Sequence, residues 1–149
     1  MVDISHRLTA FQAAQSWVPA KRCRQAADER WKDAQSLHDH RRFEGATYPC
    51  GYVLECFLKF ALCELRNRDS MDLKEAKRLG HNLIELLDPC GLGAAVERNL
   101  DLRLAFDRIN NRWSPEGRHS GKATDKRSSV DFLRDTKDLR NWLQTQLRP

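Results

Sequence analysis

The chain has 149 residues, of which 32% are charged and 40% hydrophobic, and a formal net charge of +5. This length predicts a single domain over residues 1–149, and this composition excludes a disordered or membrane-embedded protein. Leu, Ala, Arg, Glu and Lys dominate while alternating β-branched residues are scarce, which predicts an all-α protein, an antiparallel bundle of four to five helices.

The amino-terminal residues predict a leading helix or arm over 1–19, ahead of a core bundle over 20–147. The apolar residues of this arm fall on one side of a helix over residues 5–17: Leu8, Phe11, Ala14 and Trp17. Pro19 ends that helix. The segment contains no long apolar run, so the sequence predicts no signal peptide, no membrane anchor and a cytoplasmic location.

An amphipathic helix is predicted from Lys21 to about Arg42. Its apolar stripe consists of Cys23, Ala27, Trp31 and Ala34, extended by Leu37 or His38. The opposite face is charged, so this helix packs on a core by one side.

The stretch from Phe43 to Asn67 is the most hydrophobic of the chain. Helices that are apolar on nearly every side are buried, so this one is predicted to be the central core helix. The short connection before it predicts antiparallel packing against the preceding helix. Because Pro49 lies early in the stretch, we expect the regular helix to begin near Pro49 or just after it.

Two shorter helices follow a polar connection over residues 66–80. The first reads HNLIELLDPCG, with Leu83, Ile84, Leu86 and Leu87 inward, and ends at Pro89 and Gly91. The second runs from Ala94 to Trp113, with Leu102, Phe106, Ile109 and Trp113 on one stripe.

Residues 114–129 contain Pro115, Gly117 and Gly121 among polar residues, which predicts a loop. Ser128 and Asp131 have the spacing of a capping box, which predicts that the last helix opens at Ser128. Its inward residues are Leu133, Leu139, Trp142, Leu143 and Leu147.

The five cysteines are odd in number and none forms a CxxC pair: Cys23, Cys50, Cys56, Cys63 and Cys90. This pattern favours reduced core thiols over a disulfide framework or a zinc site, and no metal site or cofactor is predicted.

The order of these features resembles the HEPN domain (higher eukaryotes and prokaryotes nucleotide-binding). Tyr52, Glu55 and Lys59 match the family pattern Y-x-x-E-x-x-x-K in the central helix. The following helix matches H-x-L-x-x-L, at the three positions His81, Leu83 and Leu86. The resemblance covers residues 20–147 and implies a helical bundle that pairs as a homodimer. It also implies either a metal-independent endoribonuclease or a catalytically inactive module of a toxin–antitoxin or phage-defence system, which binds a nucleotide or a nucleotidyltransferase partner.

Arg112 and His119 are separated by six residues, the outer limit of the R-x(4–6)-H motif in ribonucleases of this family. Cleavage of RNA by its own 2′-hydroxyl requires a proton acceptor and a cation on the phosphate, roles that suit His119 and Arg112. Two such pairs at a dimer seam make a composite site. In the alternative, Arg118 and His119 match the Arg–Tyr dipeptide of the non-nuclease branch, and the segment is a loop without catalysis. A dimeric scaffold without ligand is a third hypothesis.

Most of the positive excess lies between Arg103 and Arg127, where a basic surface is predicted to guide RNA. Arg118 and Lys122 belong to this predicted nucleic-acid or nucleotide surface. Glu55 and Lys59 either face the same cleft or form an ion pair between helices, in the order that favours a pair on one helix face. For His81, capping or packing is favoured over contact with a phosphate.

Overall fold

The computed structural model describes residues 17–112 and 126–147 of the chain. Within these ranges there are two short strands, β1 (Trp17–Pro19) and β2 (Ser70–Asp72). The helices are α1 (Ala20–Asp39), α2 (Phe43–Leu65), α3 (Leu73–Leu79), α4 (Leu83–Cys90), α5 (Gly93–Glu97), α6 (Leu100–Arg112) and α7 (Lys126–Gln146). The prediction of an all-α bundle is confirmed, with α1, α2, α6 and α7 as its long helices.

Helices α1 and α2 form an antiparallel hairpin joined by residues 40–42. At the turn, the His38 ring packs against Phe43 with centroids 5.4 Å apart. At the opposite end, the Arg24 guanidinium lies over the rings of Phe57 and Phe60, 4.9 and 5.6 Å from their centroids. The predicted antiparallel packing is therefore confirmed, since early residues of α1 contact late residues of α2.

Helix α7 runs antiparallel to α1 and therefore parallel to α2. Its side chains meet those of α1 in reverse order, in the pairs Ser129–His38 at 2.8 Å, Arg140–Asp28 at 2.5 Å and Gln144–Arg24 at 2.8 Å. Helix α6 lies antiparallel on the other side of α7, where Phe106 packs edge-on against Trp142. These contacts enclose α2 between its neighbours.

Twelve residues of α2 are buried, which confirms the prediction that it is the central helix. Leu54, Phe57 and Leu58 are fully buried. They belong to one continuous apolar cluster that also includes Phe106 of α6 and Leu139 of α7. All-round burial explains why this helix lacks the polar face that α1 and α7 present to solvent.

The predicted start of α2 near Pro49 is wrong, because the helix begins at Phe43 and contains Pro49. A proline inside a helix lacks the N–H that would bond to the carbonyl four residues earlier, here Gly45. Ala46 and the Pro49 ring are both buried. Their burial offsets the loss of one hydrogen bond, so the helix continues through the proline.

The long-range pairing of β1 with β2 was not predicted. Trp17 lies opposite Asp72 and Val18 lies opposite Met71 in antiparallel register. Trp17 is therefore in a strand and 49% exposed, so its predicted place on the inner side of a helix is wrong. Residues 1–16, with the rest of the predicted leading helix, lie outside the described residues.

Three other predicted boundaries differ from the structure. The polar connection over residues 66–80 contains β2 and α3, and the helix predicted from Ala94 is two helices, α5 and α6. Helix α7 begins at Lys126, so Ser128 lies inside it and does not open it. Fully buried Ser129 explains the earlier start, since its hydroxyl bonds to His38 and ties this first turn to α1. In the described part of the chain, no helix has the length and apolar character needed to cross a membrane.

Candidate functional site

The best-defined polar cluster in the described residues is centred on Glu55, in the middle of α2. Its side chain is 5% exposed although it carries a carboxylate. The carboxylate oxygen Oε1 accepts hydrogen bonds from Lys59 Nζ at 2.9 Å and from His81 Nδ1 at 2.6 Å. A buried charge is costly unless it is paired and hydrogen-bonded, and these two donors provide that compensation. We call Glu55, Lys59 and His81 the Glu55 cluster.

Lys59 lies one helical turn after Glu55 and is 14% exposed at its side chain. The order of acid before base, four residues apart, is the one that places both groups on one face of a helix. Of the two alternatives that the sequence left open for these residues, the ion pair is present, at 2.9 Å. It is mostly buried, unlike the surface pairs whose contribution to stability is small.

His81 reaches Glu55 from the start of α4, 26 positions later in the chain. The residue before it, Gly80, has φ 69° and ψ −150°, a conformation reserved for glycine. The N-cap of α4 is Asn82, whose side-chain oxygen accepts from the N–H groups of Ile84 and Glu85. The N-cap of α4 is therefore Asn82, and the imidazole of His81, 55% exposed, bonds to Glu55 at the outer edge of the cluster.

The end of α6 lies against the start of α4. Asn110 accepts a hydrogen bond from the Leu83 N–H at 2.8 Å, and its amide nitrogen donates to Asn82 at 3.3 Å. Arg112, two residues later, closes the described part of α6 and is exposed. The fold thus brings the Glu55 cluster and the backbone at Arg112 to the same junction between α4 and α6.

The other predicted residues of this region lie outside the described residues. They are Arg118, His119 and Lys122. The geometry of the R-x(6)-H pair and the alternative match of Arg118 and His119 therefore stay predictions.

Two of the four described arginines of the predicted basic surface, Arg103 and Arg108, form ion pairs, and Arg112 and Arg127 form none within the described residues. Arg103 pairs with Glu97 and with Asp107, and Arg108 holds both carboxylate oxygens of Asp135 at 2.8 and 2.9 Å. Of the three arginines of α6, Arg112 alone forms no ion pair within residues 17–112 and 126–147. The cationic surface of α6 is therefore smaller than the count of charges predicted.

Two cysteines border the Glu55 cluster but do not add a nucleophile to it. Burial, and to a smaller extent the charge of Glu55, raises the pKa of Cys56 to about 11. Burial likewise raises the pKa of Cys23. Because the thiolate is the reactive form, both side chains are unreactive near neutral pH. All five cysteines are free thiols.

The arrangement supports hydrogen bonding and proton transfer at an imidazole. When Nδ1 of a histidine donates to a carboxylate, the ring is held in one orientation with Nε2 on the opposite side. Within the described residues, no group of three or more His, Cys, Asp or Glu side chains is placed to hold a metal ion.

The pairing of Glu55 with His81 is the feature that analysis of the sequence missed. Each residue was recognised in its own motif, but spacing along one helix reports only pairs three or four residues apart. The signals available were a lone acid in an apolar helix and a histidine after a glycine.

Comparisons with models of known families, with curated proteins and with solved structures found no match for this chain.

Proposed function

We propose that this protein is a metal-independent endoribonuclease of HEPN type, in which Arg112 holds the phosphate and His119 transfers the proton. The observation that carries the proposal is Arg112, the exposed arginine at the end of α6 that forms no ion pair within the described residues. A guanidinium without a carboxylate partner retains its donors for phosphate oxygens. Arg103 and Arg108, which are already paired, are less suited to this role.

In the proposed reaction, the 2′-oxygen of the RNA attacks the adjacent phosphorus. The bond from the 2′-oxygen to phosphorus forms while the bond from phosphorus to the 5′-oxygen breaks. His119 takes the 2′ proton, and the Arg112 guanidinium stabilises the charge that develops on the phosphoryl oxygens. The departing 5′-oxygen takes a proton from water, and His119 returns its proton to the solvent. The products are a 2′,3′-cyclic phosphate and a 5′-hydroxyl end. A homodimer brings two Arg112–His119 pairs to one seam.

The test is incubation of purified protein with single-stranded RNA in excess EDTA. We expect cleavage that a 2′-deoxy substitution at the scissile position abolishes, because the attacking group is then absent. His119→Ala is expected to lower the rate at least about 100-fold, the range for loss of a general acid or base. Arg98→Ala, which removes an exposed arginine at the end of α5, is the matched control for Arg112→Ala. Intact RNA under all these conditions excludes the ribonuclease.

A second proposal is a catalytically inactive HEPN module that binds a nucleotide or a nucleotidyltransferase antitoxin. The observation that favours it is the Glu55 cluster, whose polar groups are bonded to one another around the single oxygen Oε1 of Glu55. Polar groups that hydrogen-bond to one another hold a surface rigid, and they are less available to react with a substrate. Saturable nucleotide binding, or a stable complex with a co-expressed nucleotidyltransferase, in the absence of RNA cleavage, distinguishes this function. A dimer that neither cleaves RNA nor binds a nucleotide or a nucleotidyltransferase corresponds to the third hypothesis, a scaffold without ligand.

A further inference from the structure

A groove with a cavity volume of about 640 Å³ lies between α1 and α2, on the surface of the hairpin. The side chains of Ala26 and Leu37 line it from α1, and those of Pro49 and Cys56 line it from α2. Ala26 and Leu37 are eleven residues apart, which corresponds to a length of about 16 Å along α1. This volume matches the range of about 300–1,000 Å³ found for sites that bury one small molecule.

Two tyrosines form the aromatic wall of this groove. Tyr48 and Tyr52 lie one turn apart on α2, with ring centroids 5.3 Å apart and ring planes at 70°. Their hydroxyl oxygens are 3.0 Å apart and hydrogen-bonded. Each ring is therefore held in position by the other, which reduces the conformational entropy that a flat ligand must remove when it stacks there.

The facing wall on α1 provides one cation and one anion. Arg30 Nε lies 3.1 Å from an oxygen of Asp33, and the two side chains are 46% and 54% exposed. Ser36 lies beside them and adds a hydroxyl. Arg30 also lies 3.9 Å from an oxygen of Glu29, so carboxylates more than balance its charge. This rim therefore favours an uncharged ligand edge with both donors and acceptors over a phosphate or a carboxylate.

We propose that the groove binds a planar aromatic heterocycle with hydrogen-bonding groups on its edge, the class to which nucleobases belong. The ring lies against the tyrosine wall, and its polar edge faces Arg30, Asp33 and Ser36. Stacking accounts for affinity because every base presents an apolar face, and the rim selects a ring with polar edges over a simple hydrocarbon. This inference rests on the second proposed function, nucleotide binding, for which it names a site; because the site does not include Arg112, it does not depend on RNA cleavage.

The test is a titration of the ¹⁵N-labelled protein followed by two-dimensional NMR, with adenosine, guanosine, cytidine and uridine as separate probes. We expect at least one nucleoside to shift amide resonances of α1 and α2 along the groove in a saturable manner. Ribose, which lacks the base, is expected to leave the same resonances unchanged. The absence of saturable shifts with all four nucleosides, or equal shifts with ribose, overturns the proposal.

Two substitutions on α1 form a matched pair. Ala26→Phe places a ring in the groove, whereas Gln25→Phe adds the same ring at the neighbouring, exposed position outside it. We expect Ala26→Phe to weaken binding about ten-fold or more, in line with the loss of one stacked base, and Gln25→Phe to leave it unchanged. Equal effects of the two variants, with both folded by circular dichroism, contradict binding in the groove.

A second pair of variants tests the rim without changing the volume of the groove. Asp33→Asn keeps the shape of an exposed side chain and removes its charge. We expect it to change the order of affinities among the four nucleosides, because an acceptor becomes a mixed donor and acceptor. Asp39→Asn, at the end of α1 and outside the groove, is the control. An unchanged order of affinities in Asp33→Asn excludes contact between the base edge and this rim.

Discussion

The imidazole Nδ1 of His81 lies 2.6 Å from Oε1 of Glu55, and this contact joins the start of α4 to the middle of α2. The same oxygen accepts from Lys59, so one buried carboxylate organises two cationic or polar side chains. Around it the bundle is closed by apolar packing, and the exposed His81 ring is the part of the cluster that meets solvent. This one contact turns two separate motifs into a single site.

Removing the charge of Glu55 is expected to destabilise the protein more than removing the His81 ring. Glu55→Gln leaves the largely buried Lys59 ammonium without its counter-charge, which costs about 3 kcal/mol of unfolding free energy. His81→Ala removes a half-exposed ring and one of the two donors to Glu55 but leaves the Glu55–Lys59 pair intact, so its cost is expected to be lower, about 1.5 kcal/mol. Urea unfolding at pH 7 measures both values. Equal costs for the two variants contradict this ranking.

The salt bridge between Arg68 and Glu75 predicts a dependence of stability on pH. Arg68 donates two hydrogen bonds to the carboxylate, at 3.0 and 2.7 Å, and lowers the pKa of Glu75. Because the folded state binds this proton less readily than the unfolded state, the stabilisation is present above the unfolded pKa of about 4.3. It is lost as the pH falls through the lower, folded pKa.

Glu75→Gln is therefore expected to lower the unfolding free energy by roughly 1–2 kcal/mol at pH 7. The difference from the original protein is expected to shrink as the pH falls below about 4. Chemical unfolding at a series of pH values measures this gap. Glu64→Gln, at an exposed position on α2, is the control and is expected to show a small, nearly constant difference. A gap for Glu75→Gln that does not change with pH contradicts the role of the ion pair.

The cysteine side chains are expected to react slowly in the folded protein. Burial raises the pKa of Cys50, Cys56 and Cys90 to about 11. At pH 8 the thiolate fraction of such a group is about one in a thousand, which limits alkylation. Mass spectrometry after brief iodoacetamide treatment is expected to show little labelling, first at the partly exposed Cys56, and labelling of all five cysteines in denaturant. Rapid labelling of the folded protein contradicts this expectation.

The ion pair between Arg108 and Asp135 is expected to be worth more than a neighbouring surface pair. The Asp135 side chain is 6% exposed and receives two hydrogen bonds from the guanidinium. Arg108→Ala leaves this carboxylate buried without a partner among the described cations, at a cost of about 3 kcal/mol. Arg134→Ala, which breaks the exposed pair with Asp131, is the control and is expected to cost below about 0.5 kcal/mol. The difference is measured as the shift in the urea concentration at the midpoint of unfolding. The variants are compared at the same slope of unfolding free energy against urea concentration.

Local patterns in the sequence predicted those helices whose burial follows from their own composition. The apolar run after Phe43 predicted the central helix, and the stripes at steps of three and four predicted α1, α6 and α7. The acid at position 55 and the base at position 59 predicted their own ion pair, because both lie on one helix. In each case the signal spans a few turns of a single element.

The structural features that the sequence did not predict depend on contacts between residues that are far apart in the chain. The strand character of Trp17 requires Asp72 opposite it, and the early start of α7 accompanies the contact of Ser129 with His38. The neutralisation of Arg108 requires Asp135, which belongs to a different helix. A count of charged residues within one segment does not show which of them form ion pairs with residues of other helices.

The sequence by itself determined that this chain folds as helices around one apolar helix, because hydrophobic periodicity is written into consecutive residues. It also placed Glu55 and Lys59 on one face of that helix, because four residues span about one helical turn. Only the tertiary structure decided that His81 bonds to Glu55, that Arg112 differs from the other arginines of α6, and that a groove opens between α1 and α2. The reason is physical: each of these features is set by the distance between helices, which packing fixes and local spacing does not encode.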